Sequence, residues 1–512
     1  MGGTSIDFKR GQRDETGVAT ENLKESVLRG GFAKIGAQSA SFTLRLVSLM
    51  VLARLLDPKD FGLVAMVTAI TGVFSLFKDA GLSMATVQRA TITNEQMSTL
   101  FWINMLVGAV LACLLIAIAP GIAAFYHEPR LFWVTVVFAA AFLFTGATAQ
   151  HSALLQRQMR FGTISVIDII TLLAGITVAI AMAAASLGYW ALVGQAITIP
   201  VVGAICTWVG VRWIPGMPRR KVGIRSMVRF GGTVTLNSLV VYIAYNLEKV
   251  LLGWYWGANA LGIYGRAYQL INIPTENLNS SVSGIAFSAL SRIQNDPNRQ
   301  KRYFLKGYSL LLAFTLPITI ACGVFADDMI LVFLGPKWKD AVPIFRLLAP
   351  TIVVFGLINP FGWLLFSIGL VGRSLKIAYV IAPLVVAAYL IGLPHGPSGV
   401  AFAYSAAMAL WVIPHIAWCI RGTTITSRDI LQTVSRPFVS GIVAAALAFG
   451  VQFFFGQSLP PFLRLAMGGC VMLASYLWML LYVMGQKAFY MDLLRGLRNP
   501  SSVEKKEPVV VL

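Results

Sequence analysis

Charge is scarce in this chain. Asp, Glu, Lys and Arg make up 12% of its 512 residues, whereas a soluble globular chain carries roughly 25%. A chain so poor in charge has most of its length unsuited to water. Histidine is nearly absent: His127, His151, His395 and His415 share no loop with a catalytic partner at readable spacing. The cysteines are few too. Cys113, Cys206, Cys322, Cys419 and Cys470 lie in apolar segments without metal-ligand spacing, and read as small buried residues. That leaves no metal centre and no cofactor to expect.

Other absences narrow the function classes. There is no glycine-rich phosphate cradle, so ATP is not the direct energy source. Neither a paired-carboxylate motif nor a loop long enough to hold a substrate domain is present, which argues against an enzyme and leaves no catalytic residues to name. The polar first 30 residues lack the short apolar core and small-residue cleavage site of a signal peptide. The first apolar segment is therefore expected to be retained.

What the chain has is hydrophobic length. Apolar residues make up 57% and the mean hydropathy is +0.74. Apolar runs of about 20 residues recur, each long enough to cross a hydrocarbon core of about 30 Å as a helix. A backbone in lipid must satisfy its own hydrogen bonds, so helices are expected, and the alternation of a membrane barrel is missing. The runs predict about 14 spans, centred near residues 42, 73, 108, 139, 174, 200, 241, 275, 315, 355, 383, 409, 445 and 474.

Lys and Arg orient these spans. With a cytoplasmic N-terminus, the inner loops and both tails hold about 29 of the 41 Lys and Arg, and the outer loops about 6. The outer six are Arg54, Lys59, Arg130, Lys337, Lys339 and Arg464. Most of the net charge of +20 then lies on the inner face, against anionic lipids. Topology explains the basic loop from Arg212 to Arg229, so no nucleic-acid partner is invoked.

A weak internal repeat organises the chain. Residues 29–70 and 229–270 share their layout at an offset of 200: a basic start, Gly31 over Gly231, an apolar run, a polar turn, then "FG" at 61 over "LG" at 261. Six spans separate the copies, so both begin on the same side, and a transport site is expected near the midplane where such repeats meet. The expected fold is an all-α polytopic membrane protein. Two six-helix lobes are related by a pseudo-two-fold axis along the membrane normal, with two C-terminal helices added. The boundaries are 1–29 for a cytoplasmic tail, 30–211 for the first lobe, 212–229 for a basic cytoplasmic loop, 230–421 for the second lobe, 435–485 for the last two spans and 486–512 for a cytoplasmic tail.

Ionisable residues inside such spans usually face a cavity or a partner. Arg45, Arg266 and Arg346 suit a diphosphate, which a guanidinium grips with a two-pronged fork. Glu248 and Glu276 either line the same path or pair with these arginines. Asp168 is a weak candidate for ion coupling, and Asp79 a weaker one, since "KDAGL" also reads as a helix end. Tyr242, Tyr245, Tyr264 and Tyr268 offer faces for sugar rings. "IPTENLNSS" from Ile273 marks span 8 as an opened, cavity-facing helix.

Three stretches carry a resemblance. "LARLLDPKDFGLVAMV", "FKDAGLSMATVQR" and "YNLEKVLLGWYWGANALGIYGRAYQL" are similar to the bacterial Wzx-type polysaccharide flippases. These form the polysaccharide-transporter branch of the multidrug/oligosaccharidyl-lipid/polysaccharide exporter superfamily, and the colanic-acid and exopolysaccharide exporters are nearest in layout. The resemblance spans nearly the whole chain. It implies an inner-membrane flippase that moves an undecaprenyl-diphosphate-linked oligosaccharide from the cytoplasmic to the periplasmic leaflet by alternating access. A polysaccharide polymerase and a chain-length regulator are the partners that such a pathway implies. A drug/cation antiporter of the same superfamily, or a membrane enzyme of lipid-linked sugars, is the alternative.

Overall fold

The computed structural model describes residues 18–78, 83, 86, 92–219, 225–455, 459–487 and 490–491. Asp79 lies outside them, as do residues 1–17 of the expected N-terminal tail and most of the expected C-terminal one. The described chain is helical throughout, with no strand among these residues. The contacts divide it into two units, Met1–Gly265 and Arg266–Leu512.

The first unit contains α1 (Val18–Leu55), α2 (Pro58–Phe77), α3 (Asn94–Phe125), α4 (Arg130–Arg157), α5 (Phe161–Ala184), α6 (Trp190–Val211) and α7 (Arg225–Arg292) as far as Gly265. Polar residues set where the helices start. Before α2, Pro58 fixes the first helical φ, and the Asp57 N–H donates to Asp60 Oδ2 at 3.1 Å. Before α3, Thr93 and Gln96 form a reciprocal capping box, with bonds of 3.1 and 3.2 Å.

The second unit begins in α7 and continues through α8 (Pro297–Val324), α9 (Ala326–Phe333), α10 (Ala341–Leu348), α11 (Pro350–Ser367), α12 (Val371–Gly392), α13 (Gly396–Ile420), α14 (Ser427–Phe455) and α15 (Pro461–Trp478). Asp296 caps α8 by accepting the Arg299 N–H at 3.0 Å. The last two helices pack against the end of α8. Phe325, Ala444, Ala448, Met472, Tyr476 and Leu480 share one buried cluster.

Ten helical segments among the described residues are long and apolar enough to cross a bilayer, and one of them, Val371–Ile420, holds both α12 and α13. Leu106, Val209, Leu410, Ile413 and Phe454 present large apolar side chains outward, which suits lipid and not water. The protein is a multi-pass membrane protein. Of the cysteines, Cys322 and Cys419 are buried as expected, whereas Cys113 and Cys470 lie on exposed faces.

The turn between the arms of α7 is a single residue. Gly257 has φ 78° and ψ −177°, a backbone region open essentially to glycine alone. The helix is not opened at "IPTENLNSS" as expected; Ile273 to Glu276 remain helical, with Thr275 Oγ1 donating to the Ile271 carbonyl.

Near this turn the repeat becomes physical. A Cβ on Gly62 would sit 1.7 Å from the Ala258 carbonyl oxygen, and one on Gly262 would sit 1.9 Å from the Pro58 carbonyl oxygen. Residues 58 and 62 are each matched, 200 positions on, by 258 and 262. Each copy thus presents its glycine to the other copy's carbonyl, the reciprocity of a two-fold contact. Tyr242 adds to the packing of α2 on α7 by donating to the Ala69 carbonyl at 3.3 Å, over Gly72.

Backbone oxygen cannot step aside as a side chain can. Gly62→Ala and Gly262→Ala are therefore each expected to cost about 2 kcal/mol or more by overpacking. Gly121→Ala, with nothing within 4 Å of its added Cβ, is expected to be neutral. Apparent melting temperatures of the purified variants check this; a Gly62→Ala protein that melts with Gly121→Ala contradicts the close crossing.

Candidate functional site

A cleft of about 680 Å³ opens among α1, α4, α5 and α6 of the first unit. That lies within the size range of small-molecule sites. Arg45 and Ser41 reach it from successive turns of α1, with Gln38 below them, because residues three and four apart share a helix face. Asp168, Ser165 and Thr171 enter from α5, and Gln156 from α4. Leu172 and Ile199 supply apolar wall. The structure thus brings together two residues singled out separately in the sequence. Arg45 and Asp168 lie 123 positions apart, and they are the charged side chains among the described residues that line this cleft.

The other candidates on α7 are spread along both arms. Glu248 is fully buried, and neither of its oxygens has a hydrogen-bond partner among the described residues. An ionised carboxylate so placed is costly. Tyr245 is half-buried. Lys249 does not run outward; its Nζ donates to Asn246 Oδ1 at 2.7 Å, one turn back. In the second unit Arg266 is half-buried and donates to Gln269 Oε1, Tyr268 is half-buried, and Glu276 is exposed. Tyr264 is fully buried, so it offers no face to a sugar, and the Tyr242 hydroxyl is engaged by α2.

Arg346 is placed differently from the other arginines. It pairs with Asp327 at 2.6 Å and donates to the Gly323 carbonyl at 3.3 Å. It lines a second cleft, of about 450 Å³, with Asp328, Gln452 and Arg464. Asp328 is buried and is gripped by Arg464, whose Nε lies 2.7 and 2.9 Å from its two oxygens; Gln452 adds a third bond at 2.6 Å. This cluster ties α14 and α15 to α9. Sequence reasoning missed it, because Asp328 reads as part of a helix start and Arg464 as an outer-loop charge 136 positions away. The sole hint was an acidic pair, Asp327 and Asp328, leading an apolar run.

Another missed feature is the path of the basic loop. Residues 212–219 are laced onto the start of α3. Trp213 donates to Asn94 Oδ1 at 2.8 Å, the Gly216 N–H to Ser98 Oγ at 2.9 Å, and Arg219 pairs with Glu95. His151, fully buried, stacks on Trp208 with ring centres 4.5 Å apart. Among the described residues no group of three or more His, Cys, Asp or Glu is arranged to hold a metal.

The profile of a family described as polysaccharide biosynthesis proteins matches residues 51–343. The chain belongs to this polysaccharide biosynthesis family. Two named relatives agree with that membership over most of their length. The teichuronic acid biosynthesis protein TuaB of Bacillus subtilis (strain 168) is 27% identical over 402 residues, covering 73% of this chain and 78% of that one. The lipopolysaccharide biosynthesis protein WzxC of Escherichia coli (strain K12) is 26% identical over 362 residues, or 69% and 73% of the two chains. Among solved structures, the lipid II flippase MurJ in an inward closed conformation superposes with a TM-score of 0.73 at 14% identity, covering 90% of this chain and 99% of its own. An inward-facing MATE-family multidrug transporter of the MOP superfamily gives 0.59 at 13% identity, covering 74% and 94%. This polysaccharide biosynthesis protein therefore has the MurJ- and MATE-like transporter fold, all-α as its sequence predicts.

The chemistry of this family member's two clefts differs. The first holds polar groups open to a ligand; in the second, charges are already matched. Asp328→Ala should accordingly leave Arg464 without its partner and cost toward the low end of about 3–5 kcal/mol, since Arg464 keeps some contact with solvent. Replacing both, as Asp328→Leu with Arg464→Leu, should recover much of that loss. Thermal unfolding in detergent measures both; a double variant no better than the single would show that the pair does not act as a unit.

Proposed function

We propose that this chain is a flippase. It carries an undecaprenyl-diphosphate-linked oligosaccharide from the cytoplasmic to the periplasmic leaflet of a bacterial inner membrane, by alternating access. The observation that carries the reading is the polar cleft around Arg45, set in a multi-pass member of the polysaccharide biosynthesis family. The fold likeness to a lipid II flippase supports it.

The physics of the cargo explains why such a cleft is needed. The diphosphate carries about two negative charges, and the sugar carries many hydroxyls that hydrocarbon cannot satisfy. A pathway must replace the water lost by both. Arg45, Arg266 and Arg346 are the proposed phosphate ligands. Glu248, Glu276, Tyr245 and Tyr268 are proposed along the sugar's path. Asp168, in the Arg45 cleft, is the proposed ion-coupling acid. The Lys/Arg asymmetry supports cytoplasmic termini and fourteen spans. Surrounding membrane lipids solvate the carrier's tail, and a polymerase and chain-length regulator are proposed to take up the product.

Arg45→Ala should abolish surface polysaccharide in a strain that depends on this gene, with membrane abundance near wild type. Arg45→Lys should restore part of it, because a point charge still attracts phosphate but lacks the fork. Immunoblots and polymer staining read the two quantities. Full export by a well-expressed Arg45→Ala protein contradicts the assignment.

A further inference from the structure

We propose that residues 212–219 form an interfacial membrane anchor: Ile214 and Met217 insert into the phospholipid leaflet, while Arg212 and Arg219 meet its phosphates. Such an anchor is independent of what the protein carries. Among the described large apolar side chains, Ile214 and Met217 are the most exposed, at 83% and 86%. A lone exposed apolar residue means little, but this pair is held in place. Trp213 Nε1 donates to Asn94 Oδ1 at 2.8 Å, the Gly216 N–H to Ser98 Oγ at 2.9 Å, and the Arg219 N–H to Thr99 Oγ1 at 3.2 Å. Trp102 Nε1 returns a bond to the Gly216 carbonyl at 2.9 Å, and His151 Nε2 lies 3.1 Å from the Trp213 carbonyl. These ties fix the backbone before, between and after the two apolar residues, and hold their side chains out from the protein.

The ties also set the depth. Asn94 to Trp102 covers about the first 12 Å of α3. That helix has 32 residues, so it is about 48 Å long against a hydrocarbon core of about 30 Å. Its polar start, Asn94, Glu95 and Gln96, puts part of the surplus among the headgroups, the level at which indoles such as Trp102 and Trp213 belong. Apolar side chains held at that level gain by entering the acyl boundary. Arg212 and Arg219 are exposed on the flanks, within a charge-rich stretch that Arg220 and Lys221 continue. Guanidinium there suits phosphate oxygens, although Arg219 also pairs with Glu95. Basic flanks around apolar tips mark a segment that lies on a leaflet and does not cross it. Five positions, 220–224, separate it from the start of α7 at Arg225, a reach of at most about 22 Å. The anchor thus limits how far the start of α7 can travel from the leaflet surface.

The test uses the full-length protein in phospholipid nanodiscs, which expose both membrane faces, so an inverted orientation does not mimic failure. Cys113→Ser, Cys206→Ser and Cys470→Ser remove the native thiols that are not buried. A nitroxide is then attached at Ile214→Cys or at Met217→Cys. Both positions are exposed, so the cysteines remove no packing. Leu106→Cys, on an outward apolar face, serves as the lipid reference, and Asn295→Cys, in an exposed turn, as the aqueous one. Collision rates with oxygen, which concentrates in lipid, and with a nickel chelate, which stays in water, report depth. Both labels on the segment are expected to favour oxygen, at about 5–10 Å below the phosphates and shallower than the Leu106 label. A value matching Asn295 at either position overturns the proposal, and is the outcome that a docking surface for a soluble protein would give. A depth equal to that of Leu106 overturns it as well, because the segment would then lie in the hydrocarbon core.

Discussion

Hydrocarbon does not solvate charge, and nearly every feature of this chain answers to that constraint. The backbone is helical because only helices close their own hydrogen bonds within a short apolar run. Several charges on the described helices have a visible disposition. Asp328 is matched by Arg464 and Gln452, and Arg346 by Asp327. Lys249 turns back to Asn246, whereas Arg45 and Asp168 open into a polar cleft.

Close helix packing follows from the same solvent. Lipid gives two helices no hydrophobic reason to associate, so contact depends on shape. Gly62 and Gly262 let backbones approach until a single added carbon would strike a carbonyl oxygen. Gly441 and Gly468 instead make room for side chains, those of Ile320 and Phe325, where the last two helices dock. These glycines hold elements together by having no side chain.

Much of this was legible in the sequence. Hydropathy located the helices, because a 20-residue apolar run has few alternatives. The offset of 200 anticipated that "FG" and "LG" are equivalent, although not that they touch. Arg45 and Asp168 stood out because ionised residues inside apolar runs are costly. Their convergence could not be read, since it depends on how α1 and α5 pack. Asp328 and Arg464 were illegible as a pair for a related reason: each looked ordinary alone, at a helix start and in an outer loop. The sequence pointed to a broken helix at "IPTENLNSS", yet the break falls at Gly257, where backbone freedom and not polarity decides. Tyr264 looked available as an aromatic, and packing consumed it.

Transbilayer movement of a lipid-linked sugar is the central claim, and it is open to direct measurement. The purified protein would be reconstituted into liposomes bearing a fluorescent undecaprenyl-diphosphate oligosaccharide in both leaflets, and an impermeant reductant added outside. In protein-free liposomes the inner-leaflet fluorescence stays protected. The account predicts that the protein makes that protected fraction accessible, and that a fluorescent phosphatidylcholine in parallel vesicles stays protected. A protected fraction unchanged by the active, correctly folded protein would contradict it.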